Sequence, residues 1–204
     1  MTFVTTYDKE NMSFRLRQRR EVRPCHTDFT ARDDEGPTIE GYFAVFNSIY
    51  EIAPGMTESV KPGAFSRTLA GDIRALTNHD TTLVLGRTKA HTLELREDEH
   101  GLWGKVHINP NDGDAMNLYE RVKRGDVDQC SFGFEITAEE TDFRDDGSIH
   151  WTITDVDLYE VSACTFPAYQ ETNISARSAQ RDAIAKRTAD LWKEQQKGVL
   201  AKWH

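Results

Sequence analysis

The 204-residue sequence predicts a mainly β, α+β fold with flanking helices, in which roughly seven or more strands form a barrel or a sandwich. Short segments that alternate apolar and polar residues, rich in aromatic and β-branched side chains, recur between turn-forming segments. Helical periodicity is confined to a few segments, and no internal repeat is visible. With 38% hydrophobic and 29% charged residues, the composition is that of a globular protein rather than a disordered one.

The predicted strands occupy the central part of the chain. Residues 1–13 are polar and predict a flexible N-terminus, whereas 14–174 predict the folded domain. This domain begins with an alternating basic segment, 14–23, which predicts an edge strand or, alternatively, a basic docking arm. The further predicted strands are 38–46, 73–77, 81–85, 92–96, 102–108, 129–136, 149–156 and 158–165.

Three segments predict helices. A short helix is expected to begin at Pro62-Gly63-Ala64-Phe65, because proline is favoured in the first helical turn. Residues 115–124 carry apolar side chains on one face, and Gly125 predicts the end of that helix. The apolar spacing within 175–204 predicts a helical C-terminal tail.

The net charge of −9 is unevenly distributed. The tail, 175–204, contains seven basic and three acidic residues, so it carries +4 and the remainder of the chain carries −13. An acidic body argues against a general nucleic-acid-binding protein. The basic tail could dock on an acidic partner, or it could be the solvated face of a helix.

The sequence also excludes several other classes. No apolar run approaches the ~18–20 residues of a membrane-spanning helix, and the first residues lack the apolar core of a secretory signal. The three cysteines, Cys25, Cys130 and Cys164, are odd in number and widely spaced. They predict a reducing compartment, with neither a disulfide framework nor a zinc motif. We expect no metal and no other cofactor.

Three residues on separate segments have the chemistry of acyl transfer. Ser131 lies in a strand whose alternation turns Cys130 towards the core, so the serine is expected to face a cleft. Gly133 would leave room there for an extended peptide. His79 follows an apolar run, and a histidine can act as a general base near neutral pH. Glu160 lies in an apolar strand, where a carboxylate needs a partner such as an imidazolium.

Each of these residues also has an ordinary structural interpretation. Ser131 could be a strand serine, His79 a turn histidine, and Glu160 half of a peripheral salt bridge with an arginine. Asp155 and Asp157 are alternatives to Glu160 as the third residue, and Cys130 is an alternative nucleophile. Spacing alone does not separate these readings, because a catalytic triad is assembled by the fold rather than by sequence proximity.

Several segments, taken in order, resemble the prohead (capsid maturation) serine proteases of tailed phages. The resemblance extends over about 38–173, roughly two thirds of the chain. The matching segments are IEGYFAVFN (39–47), VKPGAF (60–65), LTNHD (76–80), LGRT (85–88), RGDV (124–127), SFGF (131–134), LYEVS (158–162), TFPAY (165–169) and Thr172. One local departure is Lys89-Ala90-His91, where a serine or alanine followed by glycine is expected.

The resemblance implies a serine endopeptidase with the antiparallel β-barrel of the herpesvirus assemblin proteases. Ser131 would be the nucleophile, His79 the base, and Glu160 the third member. Backbone N–H groups, with the loop around Ala168 and Tyr169 as one candidate, would stabilise the oxyanion. The substrate would be the scaffold segment of the major capsid protein, together with the protease itself, inside the immature prohead in the cytoplasm of an infected bacterium. A dimer is plausible by analogy with the assemblins.

Two other functions remain compatible with the residues. The chain could be a non-catalytic scaffold or assembly module on the same fold, with the basic tail as its scaffold-like part. It could also be a cysteine hydrolase that uses Cys130.

Overall fold

The computed structural model describes residues 2–6, 21–26, 29–33, 36–144 and 146–166, and strands dominate this part of the chain. It contains the α-helix α1 (Gly113–Arg124) and one turn of 3-10 helix, Thr88–Ala90. The strands are β1 (Thr2–Thr6), β2 (Glu21–His26), β3 (Thr30–Arg32), β4 (Thr38–Val45), β5 (Tyr50–Ala53), β6 (Met56–Val60), β7 (Arg74–Thr77), β8 (Asp80–Arg87), β9 (Leu93–Glu97), β10 (Gly101–His107), β11 (Gln129–Phe143) and β12 (Ile149–Cys164). No helix of the described residues is both long and apolar enough to cross a membrane.

The strands form two sheets. The larger has the order β1-β11-β12-β6-β5, with β2 also pairing with β11 and with β7 joining β12 to β8. The smaller has the order β3-β4-β10-β9. The mainly β, α+β prediction is confirmed, but among the described residues neither sheet closes into the predicted barrel. The pairing is also not wholly antiparallel, because β6 and β7 both run parallel to β12.

The long hairpin of β11 and β12 organises the larger sheet. The 16 residues of β12 accommodate two shorter strands along one edge, β6 beside Ile149–Ile153 and β7 beside Glu160–Ala163. The sequence predicted two strands here, 149–156 and 158–165, and this was wrong. Register shifts between β11 and β12 change which face of the sheet successive side chains occupy, although the hydrogen bonding between the two strands continues. The sequence pattern of apolar and polar residues therefore suggests a break within a strand that is continuous.

One of these shifts decides which side chains of β12 enter the core. Gly133 pairs with Glu160 and Phe134 pairs with Leu158, so Tyr159 is an extra residue on β12. As a result, Leu158 and Val161 both lie in the hydrophobic core. Glu160 lies between them in sequence and belongs to the opposite face of the sheet.

Most of the other predicted elements are confirmed, with shifted ends. The predicted strands 38–46, 73–77, 81–85, 92–96 and 102–108 correspond to β4, β7, β8, β9 and β10. Helix α1 begins after Asp112, whose side chain accepts from the Asp114 and Ala115 N–H groups. It ends at Gly125, whose φ of 84° is left-handed, as the sequence predicted.

One local prediction was wrong. The segment 62–65 forms consecutive turns rather than a helix, because Gly63 has a φ of 93°, which a right-handed helix does not accommodate. Thr2–Thr6, within the N-terminus expected to be flexible, form β1 and pair with Ala138–Asp142. The remainder of the predicted edge strand, 14–20, and the predicted tail, 175–204, lie outside the described residues.

Aromatic packing anchors the hairpin to the rest of the core. The Phe65 ring lies edge-on to Phe132 of β11 at 5.4 Å between centroids and stacks on Phe46 at 6.1 Å. Phe132 in turn stacks on Phe134 at 4.8 Å. Phe65, on the turn segment before β7, therefore fixes that segment against the strand that carries Ser131.

We expect Phe65→Ala to lower the free energy of unfolding by about 3–5 kcal/mol, because it leaves a cavity against two rings. Ile49→Ala is the control, since Ile49 is 68% exposed and its loss should change stability by less than about 0.5 kcal/mol. Urea unfolding followed by circular dichroism measures both variants. A Phe65→Ala loss no larger than that of Ile49→Ala would contradict this assignment of the core.

Candidate active site

Five residues of the hairpin share one face of the larger sheet. Glu160, Ser162 and Cys164 alternate along β12, so their side chains point to the same side. Ser131 pairs with Ser162, and Gly133 pairs with Glu160, and residues paired across antiparallel strands share a face. The fold therefore brings two of the three predicted catalytic residues, Ser131 and Glu160, onto the same side of neighbouring strands.

The turn after β7 brings in the third residue, His79. β7 pairs with β12 up to Thr77, opposite Ala163. Asn78 and His79 then adopt left-handed φ values of 50° and 61°. The Asn78 N–H donates to the Ala163 carbonyl at 3.0 Å, and the Asn78 Oδ1 accepts from the Thr165 N–H at 2.9 Å. These two bonds hold a backbone conformation that non-glycine residues adopt only at an energetic cost.

The turn places the imidazole of His79 against the carboxylate of Glu160. His79 Nδ1 lies 2.6 Å from Glu160 Oε1. A carboxylate only accepts hydrogen bonds, so Nδ1 carries the proton and donates it. The other ring nitrogen, Nε2, then points away from Glu160. The predicted pairing of an imidazole with Glu160 is present in the structure.

Glu160 is only 4% exposed, and both of its oxygens have partners. While Oε1 accepts from His79, Oε2 accepts from the Ser162 hydroxyl at 2.6 Å. The Ser162 oxygen itself accepts from the backbone N–H of His79 at 3.2 Å. Since an unpaired buried carboxylate is costly, these contacts are what allow a charge at this depth.

Gly133 leaves room for Glu160 rather than for a peptide. A Cβ atom at this position would lie 2.2 Å from Glu160 Oε1 and 3.0 Å from its carboxyl carbon. The expectation that this glycine opens a path for an extended substrate was therefore wrong. The space that it leaves is occupied by the carboxylate that contacts His79.

Ser131 is fully buried rather than facing an open cleft. Its hydroxyl donates to the carbonyl of Arg23 in β2 at 2.7 Å. β2 lies along the other edge of β11, and Pro24 pairs with Ser131. The Arg23 side chain forms a buried ion pair with Glu58, which holds this part of β2 in place. In this arrangement the Ser131 proton is donated to the backbone of β2 and not to His79.

Cys164 contacts the second nitrogen of the imidazole. Its Sγ lies 3.7 Å from His79 Nε2. Burial, together with the nearby charge of Glu160, raises the pKa of Cys164 to about 12, so the group is a thiol at neutral pH. The cysteine that the sequence offered as a rival, Cys130, is buried in the core, where its Sγ lies 3.1 Å from the Tyr42 carbonyl.

The two carboxylates considered as alternatives to Glu160 are engaged elsewhere. Asp155 Oδ2 and Asp157 Oδ1 bind the guanidinium of Arg67, at 2.8 Å and 2.7 Å. Both precede the Tyr159 bulge in sequence. Glu160 follows the bulge and is the carboxylate that contacts His79.

A cavity of about 620 Å³ lies on the opposite side of β11 from the His79–Glu160 pair. Its lining includes Phe132, whose side chain points away from the face that carries Ser131.

Within the described part of the chain, no cluster of three or more histidine, cysteine or acidic side chains could hold a metal ion.

Sequence reasoning missed Ser162 and Cys164. Both follow Glu160 at intervals of two along one strand, and this alternation is the signal that could have identified them. A strand that begins at 158 without the bulge at Tyr159 would place Leu158 and Glu160 on the same face, and this obscured the alternation. The oxyanion candidates Ala168 and Tyr169 lie outside the described residues.

The chain is similar to known phage proteases. Residues 26–187 match the sequence model of the caudovirus prohead serine protease family. The prohead protease of Enterobacteria phage HK97 is 29% identical over 187 residues, which cover 86% of this chain and 78% of that protein. The solved structure of the bacteriophage T4 capsid assembly protease is similar with a TM-score of 0.41 and 10% identity, covering 71% of this chain and 94% of that one.

The family match extends over most of the chain and contains His79, Ser131 and Glu160. It includes both strands of the long hairpin and the turn that carries the imidazole. The resemblance stated from the sequence is therefore confirmed, and the chain belongs to the caudovirus prohead serine protease family and is a serine protease.

Proposed function

We propose that this serine protease cleaves the scaffold segment of the phage major capsid protein, and itself, during prohead maturation, with Ser131, His79 and Glu160 as its catalytic residues. The observation that carries the residue assignment is the 2.6 Å contact between His79 Nδ1 and Glu160 Oε1, on the same face as Ser131. A base oriented by a buried carboxylate, with a serine on the adjacent strand, is the arrangement that nucleophilic acyl transfer requires.

In the proposed reaction, Glu160 fixes the proton on Nδ1 and leaves Nε2 able to act as the base. Nε2 takes the proton of Ser131 while Oγ forms a bond to the carbonyl carbon of the peptide. Glu160 stabilises the imidazolium, which then gives its proton to the leaving amine as the peptide bond breaks. Water, deprotonated by the same histidine, hydrolyses the acyl-enzyme, and the proton returns to Ser131.

The proposed reaction also requires a rearrangement at Ser131. The Ser131 hydroxyl is bonded to the Arg23 carbonyl, so its side chain must rotate towards His79 before it can attack. The Cys164 thiol is adjacent to Nε2 and, with its raised pKa, does not compete as a thiolate nucleophile near neutral pH.

The proposed substrate and location are supported by the family and by the name of the HK97 relative, a prohead protease. A prohead is the immature shell built from capsid protein, so that protein, with its scaffold segment, is the proposed substrate. The enzyme would act inside this shell in the host cytoplasm, with autoprocessing and a dimer as further parts of the proposal. The tail, 175–204, with its net charge of +4, would attach the protease to the assembling shell.

Ser131→Ala is expected to lower cleavage of the capsid protein by at least roughly a thousandfold, because the nucleophile is lost. Each variant is co-expressed with the major capsid protein of the same phage, and the products are weighed by intact-mass spectrometry. Ser59→Ala is the matched control, since Ser59 is a buried serine bonded to His150 on β12. Full cleavage by Ser131→Ala would exclude Ser131 as nucleophile, and uncut protein with the wild type, while proheads still form, would favour a scaffold module.

Glu160→Gln should reduce kcat by roughly a thousandfold or more, since it keeps the size of the side chain and removes the charge that stabilises the imidazolium. Asp155→Asn and Asp157→Asn are the controls, because both carboxylates bind Arg67 instead. Steady-state cleavage assays on the purified variants make the comparison. If Asp155→Asn or Asp157→Asn had the larger effect, the third residue would not be Glu160.

Cys164 should remain unmodified by iodoacetamide in the folded enzyme at pH 8. With a pKa of about 12, roughly one thiol in ten thousand is ionised at that pH, and only the thiolate reacts. Peptide mapping by mass spectrometry after alkylation reads out each cysteine separately, with urea-unfolded protein as the positive control. Rapid alkylation of Cys164 that abolishes activity would contradict the buried-thiol assignment and favour cysteine chemistry.

A further inference from the structure

Ser162 is not one of the three proposed catalytic residues, but it lies beside them. It is fully buried, lies between Glu160 and Cys164 on the face of the site, and pairs with Ser131. Its hydroxyl makes two hydrogen bonds, and both reach the catalytic pair.

The directions of these two bonds follow from the groups involved. A hydroxyl has one proton to donate and two lone pairs to accept with. The Glu160 carboxylate can only accept, so Ser162 donates to Oε2 at 2.6 Å. The backbone N–H of His79 can only donate, so Ser162 accepts from it at 3.2 Å. One oxygen atom is therefore bonded to both members of the pair at once.

Each bond restrains a different degree of freedom. The bond to Oε2 limits rotation of the carboxylate, so that Oε1 remains directed at His79 Nδ1. The bond from the His79 N–H limits movement of a residue whose φ of 61° lies in the left-handed region. Together with the Nδ1–Oε1 contact, they close a ring from the backbone of His79, through Ser162 and Glu160, to the imidazole of His79.

The contacts of Ser162 are those of a positioning group. Its proton is donated to Glu160, and its bond to His79 is with the backbone amide rather than with the imidazole. The hydroxyl of Ser131 is likewise bonded to a group other than the imidazole, so the proposed nucleophile is assigned from the family resemblance and not from these bonds.

We propose that Ser162 is a positioning residue of the protease, which holds the Glu160 carboxylate and the His79 backbone in the geometry that directs the imidazole towards Ser131. This inference rests on the proposed roles of His79, Ser131 and Glu160. Misplacing a base by about 1 Å can cost a hundredfold in rate even when the base is still present.

The test compares Ser162→Ala and Ser162→Thr with the wild type, and with Ser59→Ala as a control that also loses a buried serine hydroxyl bonded to a histidine. Ser59 lies on β6, which pairs with the opposite end of β12. The purified enzymes are assayed for kcat and KM on a peptide that spans the cleavage site in the capsid protein. The downfield proton resonance of His79 Nδ1–H is recorded by NMR, and thermal unfolding checks the fold.

We expect Ser162→Ala to lower kcat by roughly 10–100-fold with little change in KM, and to shift or broaden the Nδ1–H resonance. Ser162→Thr, which keeps the hydroxyl, should restore most of kcat. Ser59→Ala should leave kcat and the resonance unchanged, even where it lowers the unfolding temperature by a similar amount. That combination separates positioning from a purely structural contribution.

Two results would overturn the inference while leaving the proposed function intact. One is a Ser162→Ala enzyme with kcat within twofold of the wild type and an unchanged Nδ1–H resonance, while Glu160→Gln is inactive. The other is a Ser162→Ala enzyme as inactive as Ser131→Ala and not rescued by threonine, which would give Ser162 a direct role in the chemistry. If His79→Ala or Glu160→Gln kept full activity, the proposed catalytic residues themselves would be wrong.

Discussion

A buried carboxylate is the constraint on which the site depends. Glu160 lies near the C-terminal end of the long strand β12 with almost no exposure to water, where a charge without partners would be strongly unfavourable. It is accommodated because His79 binds one oxygen and Ser162 binds the other. Gly133 completes the arrangement, since any larger residue opposite Glu160 would occupy the space of the carboxylate. The contact between Glu160 and His79 thus serves the fold as well as the proposed catalysis.

The register of the hairpin makes this arrangement possible. The extra residue Tyr159 lets Leu158 and Val161 both enter the core while Glu160 lies on the other face. The parallel pairing of β7 with Glu160–Ala163 then ends just where the turn at Asn78 and His79 must begin. A bulge in one strand and the end of another together bring the imidazole over the carboxylate, which is a recurrent use of bulges beside functional sites.

Ser131, the proposed nucleophile, is held on the opposite edge of the same hairpin. β2 pairs with β11 beside Ser131, and the Arg23 carbonyl of β2 accepts a hydrogen bond from the Ser131 hydroxyl. The Arg23 side chain is held by Glu58. His79 and Glu160 are therefore held by β7 and β12, and Ser131 is held by β2 and β11. In the proposed reaction, the Ser131 hydroxyl exchanges the Arg23 carbonyl for His79 as its hydrogen-bond acceptor.

The sequence by itself determined the local elements and the residues to consider. Alternation and turn residues predicted β4, β7, β8, β9, β10 and α1, because these depend on neighbours along the chain. It also named His79, Ser131 and Glu160. Only the tertiary structure decided that His79 contacts Glu160 rather than Asp155 or Asp157. It also decided that Ser162 binds both His79 and Glu160. His79 and Glu160 are 81 residues apart, and their contact depends on strand pairing and on bulges that shift the phase of side chains. Those features arise from interactions across the sheet, which local sequence patterns do not encode.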